Sequence, residues 1–292
     1  MKQREPGIQQ LSPDQVSQYW DQGFLSPIDV FTPSEALAFR HQLEAIESEW
    51  TEAGLPRSVK TYKRVNAHVV MPFAYDIAQR PEIVDCVEKI LGPNILVYGV
   101  EFFIKEANTP GYVSMHQDLT YWGLGDTQKM VTAWLALSVA NIKSGCMEFV
   151  ARSHKQAILP HEDTFAEDNL LSRGQEVQVE IDSDSRTAIE LMPGQISLHH
   201  GMTIHGSGPN CSDDRRIGLV IRYMSTEVRP QNAAPDYAVL ARGEYDFADF
   251  NEIPRPESLF HPSALQRYDQ IRSAQASVKL ANAAVSKDPF YE

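Results

Sequence analysis

Two tripeptides in this chain, His116-Gln117-Asp118 and His161-Glu162-Asp163, set an imidazole and a carboxylate two residues apart. On an extended strand, residues two apart share a face, so either pair can offer two ligands to one ion. Two histidines and one carboxylate on one side of an octahedral ion leave three positions open, enough for a cosubstrate and dioxygen on iron(II). The tripeptide alone is a weak signal, since composition yields roughly one in a chain of this length. Context ranks the two. His116 closes the run YVSM, which reads as a strand, whereas His161 follows a proline and opens the acidic stretch HEDTFAEDNLLSRGQ. Precise sites sit on rigid elements. His116 and Asp118 are therefore the expected pair, with His161 and Asp163 in a solvated loop.

The third ligand must come from far along the chain, and SLHHGMTIHGSGPN offers His199, His200 and His205. A histidine beside a strand usually only bonds the backbone, so the residues alone leave all three open. After His205 come a turn and then RRIGLVIRY at 215–223, which alternates as a strand does. Alternation puts Arg216, Gly218, Val220 and Arg222 on one face and Arg215, Ile217, Leu219 and Ile221 on the other. Gly218, two places from Arg216, would leave room for a ligand against that face.

These residues need a scaffold. Ser12-Pro13 opens a short helix that Gly23 ends, and Thr32-Pro33 opens a longer one to about Trp50. Residues 74–91 carry Ile77, Ile83, Val84, Val87, Ile90 and Leu91 at helical spacing, one helix stopped by Gly92-Pro93. Beyond it come β-branched and aromatic runs at 95–104, 112–116, 131–139, 176–181, 195–199 and 217–223. Loops rather than helices separate them, so an antiparallel sandwich or barrel is expected, not a parallel sheet. The organisation predicted is one domain: a helical segment 1–92, a β core 93–229 and a C-terminal extension 230–292. Residues 155–190 form a lid-like excursion from the core, and a last helix at 263–285 lies on the surface or meets a second subunit as a homodimer.

Composition excludes several classes. A formal charge of −13, from 39 acidic and 26 basic residues, repels nucleic acid and anionic membranes. The polar start MKQREPGIQQ and the lack of any run of about 18 apolar residues argue against a signal peptide and a membrane span. Cys86, Cys146 and Cys211 fit neither a disulfide framework nor a zinc site, as expected of a cytoplasmic protein.

Taken together, the motifs resemble the phytanoyl-CoA dioxygenase family, a branch of the iron(II)/2-oxoglutarate oxygenases. The family's His-Gln-Asp block is mirrored by HQDLTYWGL at 116–124 and its Trp-Ala-Leu strand by TAWLAL at 132–137. Its Gly-Ser-His segment is similar to SGCMEFVARSH at 144–154, and its distal motif to HGSGPNCSDDRRIGLVIRY at 205–223, all in family order. One departure is Arg152, which stands where the family commonly has glycine.

The resemblance implies a mainly β protein with flanking helices around a double-stranded β-helix, the jelly-roll or cupin-like barrel. It implies His116, Asp118 and His205 as ligands of Fe(II). Arg216, eleven places after His205, would bind the distal carboxylate of 2-oxoglutarate with help from Ser207, and Trp134 and Lys105 would lie near that cosubstrate. The implied activity consumes 2-oxoglutarate and O2, releases succinate and CO2, and hydroxylates a small organic substrate. Asp118 counts against halogenation, because related halogenases carry a small residue there.

Two other readings use the same residues: a cupin-like metal protein or isomerase without 2-oxoglutarate, and a non-catalytic relative that binds 2-oxoglutarate. The substrate is left among natural products, amino-acid-like compounds, phosphonates and acyl compounds. Tyr98, Phe102, Phe103, Tyr121 and Trp122 are either pocket or core, and Lys63, Arg64 and His68 either meet an anionic substrate or form a solvated face.

Overall fold

Ser12 caps the first helix, α1 (Pro13–Gln22), in a reciprocal capping box with Gln15, and Gly23 ends it at a φ of 88°. The computed structural model, which describes residues 10–50, 54–231 and 236–280, then departs from the helical reading of the front segment. Strand β1 (Phe24–Asp29) precedes α2 (Pro33–Trp50) and α3 (Val59–Arg64). The helix expected over 74–91 is two, α4 (Pro72–Ala78) and α5 (Pro81–Leu91), because Pro81 breaks the first and opens the second at its N1 position.

The core strands are β2 (Ile95–Lys105), β3 (Val113–His116), β4 (Met130–Ala136), β5 (Met147–Val150), β8 (Arg186–Ile189), β9 (Gln195–His200), β10 (His205–Ser207) and β11 (Arg216–Ser225). A small hairpin of β6 (His161–Asp163) and β7 (Gln175–Val177) stands apart. After the core come β12 (Asp236–Arg242), β13 (Phe250–Glu252) and α6 (Pro262–Leu280). The larger sheet runs β1-β9-β4-β11-β2-β12-β13 and the smaller β3-β10-β5-β8. From β2 to β11 the chain passes back and forth between the two sheets, and all core pairings are antiparallel. That is a double-stranded β-helix, as the motifs implied.

The outer face of the larger sheet packs on the helices through Val97, Leu135, Ile217, Leu219 and Ile221, together with Ile83 and Val87 of α5. Its inner face meets the smaller sheet through Phe24, Phe149, Ile189 and Val220. The alternation expected in β11 is therefore observed: the odd-numbered apolar residues fill the outer core, and Arg216, Val220 and Arg222 look into the cavity between the sheets.

Two boundaries need correction. Residues 155–190 are not wholly an excursion, because Arg186–Ile189 is the edge strand of the smaller sheet. The C-terminal extension does not merely lie on the surface, because β12 pairs with β2, and α6 buries Ala264, Tyr268, Ile271, Arg272 and Gln275. The expected end of that helix, near 285, lies outside the described residues. Among the described residues no helix is long and apolar enough to cross a membrane.

Candidate active site

Strands β3 and β10 are neighbours in the smaller sheet, and their register sets His116 opposite His205. Asp118 opens the 3-10 turn Asp118–Tyr121 directly after β3. One ligand atom from each residue lies within 4.8 Å of the others, and all three residues are buried. His116 Nδ1 is 2.9 Å from the Ser114 carbonyl and His205 Nδ1 is 2.9 Å from the Thr203 carbonyl. A carbonyl only accepts, so each Nδ1 carries the proton and each Nε2 keeps its lone pair for the shared centre.

Asp118 Oδ1 is 3.7 Å from His116 Nε2, while Oδ2 accepts from Thr132 Oγ1 at 3.3 Å. Burial pushes the Asp118 carboxyl up, but His116, His199 and Arg222 outweigh it and hold the group well below the usual carboxylate range. Burial, then the neighbouring His116, holds His205 well below its ordinary value, so its lone pair is available. Two imidazoles steered by their own backbone and one ionised carboxylate make a donor set that suits iron(II).

A second cluster lies across the cavity. Lys105 and Arg216 are cross-strand partners on β2 and β11, each 1% exposed. Lys105 Nζ donates to Ser207 Oγ at 2.7 Å and to the carbonyls of Ser207 and Gly208. Arg216 Nη1 donates to the Gly145 carbonyl at 2.9 Å, while its Nε has no partner among the described residues. Burial and then the adjacent Arg216 lower the Lys105 ammonium to about 6, and burial, with Arg64 adding to it, lowers Arg216 to about 10. Among the described residues no carboxylate pairs with either cation. Burial of an amine and a guanidinium with no acid beside them calls for an anion, whose charge would restore the Lys105 proton, and a guanidinium fork suits a carboxylate.

Trp134 corrects one expectation. A Cβ on Gly218 would come 2.0 Å from the Trp134 indole, so the space that glycine leaves is filled by this ring and not by a ligand. The ring in turn has the Arg216 guanidinium 5.2 Å from its centre.

The other candidates divide. Tyr98, Phe103 and Trp122 line the cavity, Phe102 belongs to the outer core, and the Tyr121 side chain lies outside the described residues. Of the basic trio, Arg64 lines the cavity and shares Glu101 with Arg222, Lys63 pairs with Glu47, and His68 is wholly buried. His161 and Asp163 are not in a solvated loop. They sit half-buried on β6, where His161 Nε2 accepts from the Gln117 backbone at 3.1 Å and Asp163 lies 3.4 Å from Arg173. His200 Nδ1 accepts from the Met202 backbone at 3.1 Å. Arg152 has a φ of 64°, which explains a glycine preference there.

Sequence reasoning missed Asn66, Arg173 and Gln275, which reach the cavity from a turn, from the 155–190 segment and from α6. No local pattern marks them, since only chain folding brings these segments to one wall.

The phytanoyl-CoA dioxygenase (PhyH) family model matches residues 19–218, and the chain belongs to that family. That family is one of iron(II)/2-oxoglutarate oxygenases. The structure of the non-heme monooxygenase ThoJ, in its apo form, superposes with a TM-score of 0.82 at 30% identity, covering 92% of this chain and 98% of the other. The probable phytanoyl-CoA dioxygenase of Caenorhabditis elegans is 26% identical over 54% of this chain, and the chain spans about half, 52%, of that protein. A probable alpha-ketoglutarate-dependent hypophosphite dioxygenase of Stutzerimonas stutzeri is 24% identical, with 80% of this chain and 84% of that protein covered.

Proposed function

We propose that the protein, working as a single oxygenase domain, hydroxylates a small polar organic molecule. His116 Nε2, Asp118 Oδ1 and His205 Nε2 are the iron ligands, and Arg216, Lys105 and Ser207 grip the far carboxylate of 2-oxoglutarate beside Trp134. One observation carries this reading: a metal-competent triad and Arg216, a buried guanidinium that no acid among the described residues pairs with, open onto the same cavity. Iron, when bound, supplies the centre at which 2-oxoglutarate and dioxygen become succinate and CO2 while one oxygen atom goes to the substrate. The residues of the chain bind, orient and shield. Arg216 offers two parallel donors to a planar carboxylate, Lys105 adds charge, and the two sheets keep bulk water from the metal side.

Hydroxylation is favoured by the likeness to the ThoJ monooxygenase at 30% identity over nearly the whole chain. A natural product or amino-acid-like substrate is favoured over an acyl chain, because Arg64, Glu101, Arg173 and Arg222 line the cavity and hydrocarbon against them would leave charges desolvated. The cupin-like alternative leaves Arg216 and Lys105 without a role. A cytoplasmic setting accords with three free cysteines.

The test is reconstitution of metal-free protein with Fe(II), then 2-oxoglutarate and dioxygen, measuring succinate. Succinate release that needs iron and fails in His205→Ala is the expected result. Iron-loaded protein that binds no 2-oxoglutarate would overturn it.

A further inference from the structure

We infer that His199 is a positioning residue for the metal carboxylate: its Nε2–H donates to Asp118 Oδ2 once Oδ1 is engaged by the ion, keeping Asp118 a one-oxygen ligand. The inference rests on the iron-site reading above.

His199 lies on β9, opposite Thr132 of β4 in register, and lines the cavity at 1% exposure. Its Nε2 is 3.8 Å from Asp118 Oδ2, the oxygen that already accepts from Thr132 Oγ1 at 3.3 Å. Asp118 Oδ1 faces the other way, toward His116. Among the described residues neither ring nitrogen of His199 has a hydrogen-bond partner. His116, His154, His161, His200 and His205 all engage a backbone group. His68 also lacks partners, but it does not line the cavity.

Buried polar groups are nearly always satisfied, so a histidine left without a partner beside a ligand carboxylate points to a bond that another state of the site completes. A carboxylate bound through one oxygen leaves its second oxygen to be satisfied inside the protein. Thr132 supplies one donor to it, and His199 is placed to supply the other after a shift of about 1 Å. The ring is held for this by packing, with Phe149 4.9 Å and His205 4.8 Å away between ring centres. Groups that orient metal ligands in this way typically change affinity by about 10–100-fold when removed.

The experiment titrates metal-free wild type, His199→Phe and His199→Gln with Co(II), and melts each without metal. Phenylalanine keeps the ring and removes both nitrogens, whereas glutamine places an amide N–H near the position of Nε2. His199→Phe is expected to bind Co(II) about 10–100-fold more weakly, with a metal-free Tm equal to or above that of wild type, since an unsatisfied buried group is gone. His199→Gln should recover most of the affinity. Wild-type affinity in His199→Phe, or a glutamine variant as weak as phenylalanine, overturns the inference. So does a metal-free Tm that falls in both variants, which would mark a packing role. Wild type that binds no more Co(II) than His116→Ala removes the site reading and this inference together, whereas failure in the His199 variants alone leaves the site reading standing.

Discussion

The two His-x-Asp tripeptides share residue types, spacing and a strand position for the histidine, yet they end in different employment. At His116-x-Asp118 the histidine Nε2 is kept open by a backbone bond at Nδ1, and β10 sets His205 across from it. At His161-x-Asp163 both ring nitrogens are engaged, Nδ1 with the Leu159 carbonyl at 2.8 Å and Nε2 with the Gln117 backbone, and the carboxylate faces Arg173. The second pair thereby braces the first, because Gln117 lies between His116 and Asp118. What separates a ligand from a brace is a lone pair left free and a third donor brought near it.

The largest effect expected from this contrast is on the triad. Asp118→Ala or His205→Ala should weaken metal binding by more than about 100-fold, since losing a ligand exceeds the loss of a supporting contact, and should abolish succinate release. Asp163→Ala should retain metal, and metal analysis of the purified variants decides between them.

Next comes the cation cluster, which His161 and Asp163 lack. Arg216→Ala removes charge-assisted bonds worth roughly 1.5–3 kcal/mol, raising the Kd for 2-oxoglutarate about 10–150-fold. Arg216→Lys should not restore it, because the ammonium has no fork. Calorimetric titration of metal-loaded protein reads both. An unchanged Kd in Arg216→Ala would move the anion elsewhere.

A smaller change is expected at Gly218, where an alanine Cβ would strike the Trp134 indole at 2.0 Å. Gly218→Ala should cost about 1–3 kcal/mol of stability by overpacking, measured by denaturant melts, and should weaken 2-oxoglutarate binding by displacing the ring. The smallest effect belongs to the brace: His161→Phe should lower metal affinity less than about tenfold, the low end for groups that support ligands. A loss as large as in His205→Ala would collapse the contrast between the tripeptides.

Much of this was legible locally. The caps of α1, the alternation of β11 and the chemistry of the four motif blocks depend on neighbours in sequence, so they survive without coordinates. The short strands β5, β8 and β10 were not legible, since three or four residues carry too little periodicity to stand out from a loop unless, as at β3, the run YVSM leads into them. Pro81, by contrast, marks the break between α4 and α5 in the sequence itself.

The sequence by itself determined which residues can do the chemistry: a histidine and carboxylate two apart, a distal histidine and an arginine eleven places beyond it. It left His199, His200 and His205 equivalent until family likeness separated them. Tertiary structure decided how they are used. It set His116 opposite His205, placed His199 beside Oδ2 of Asp118, buried Lys105 beside Arg216, filled the space at Gly218 with Trp134 and brought α6 to the cavity wall. The reason is physical: ligand type is a property of a side chain, whereas a free lone pair, an unpaired cation or a shared wall is a property of what packs against it.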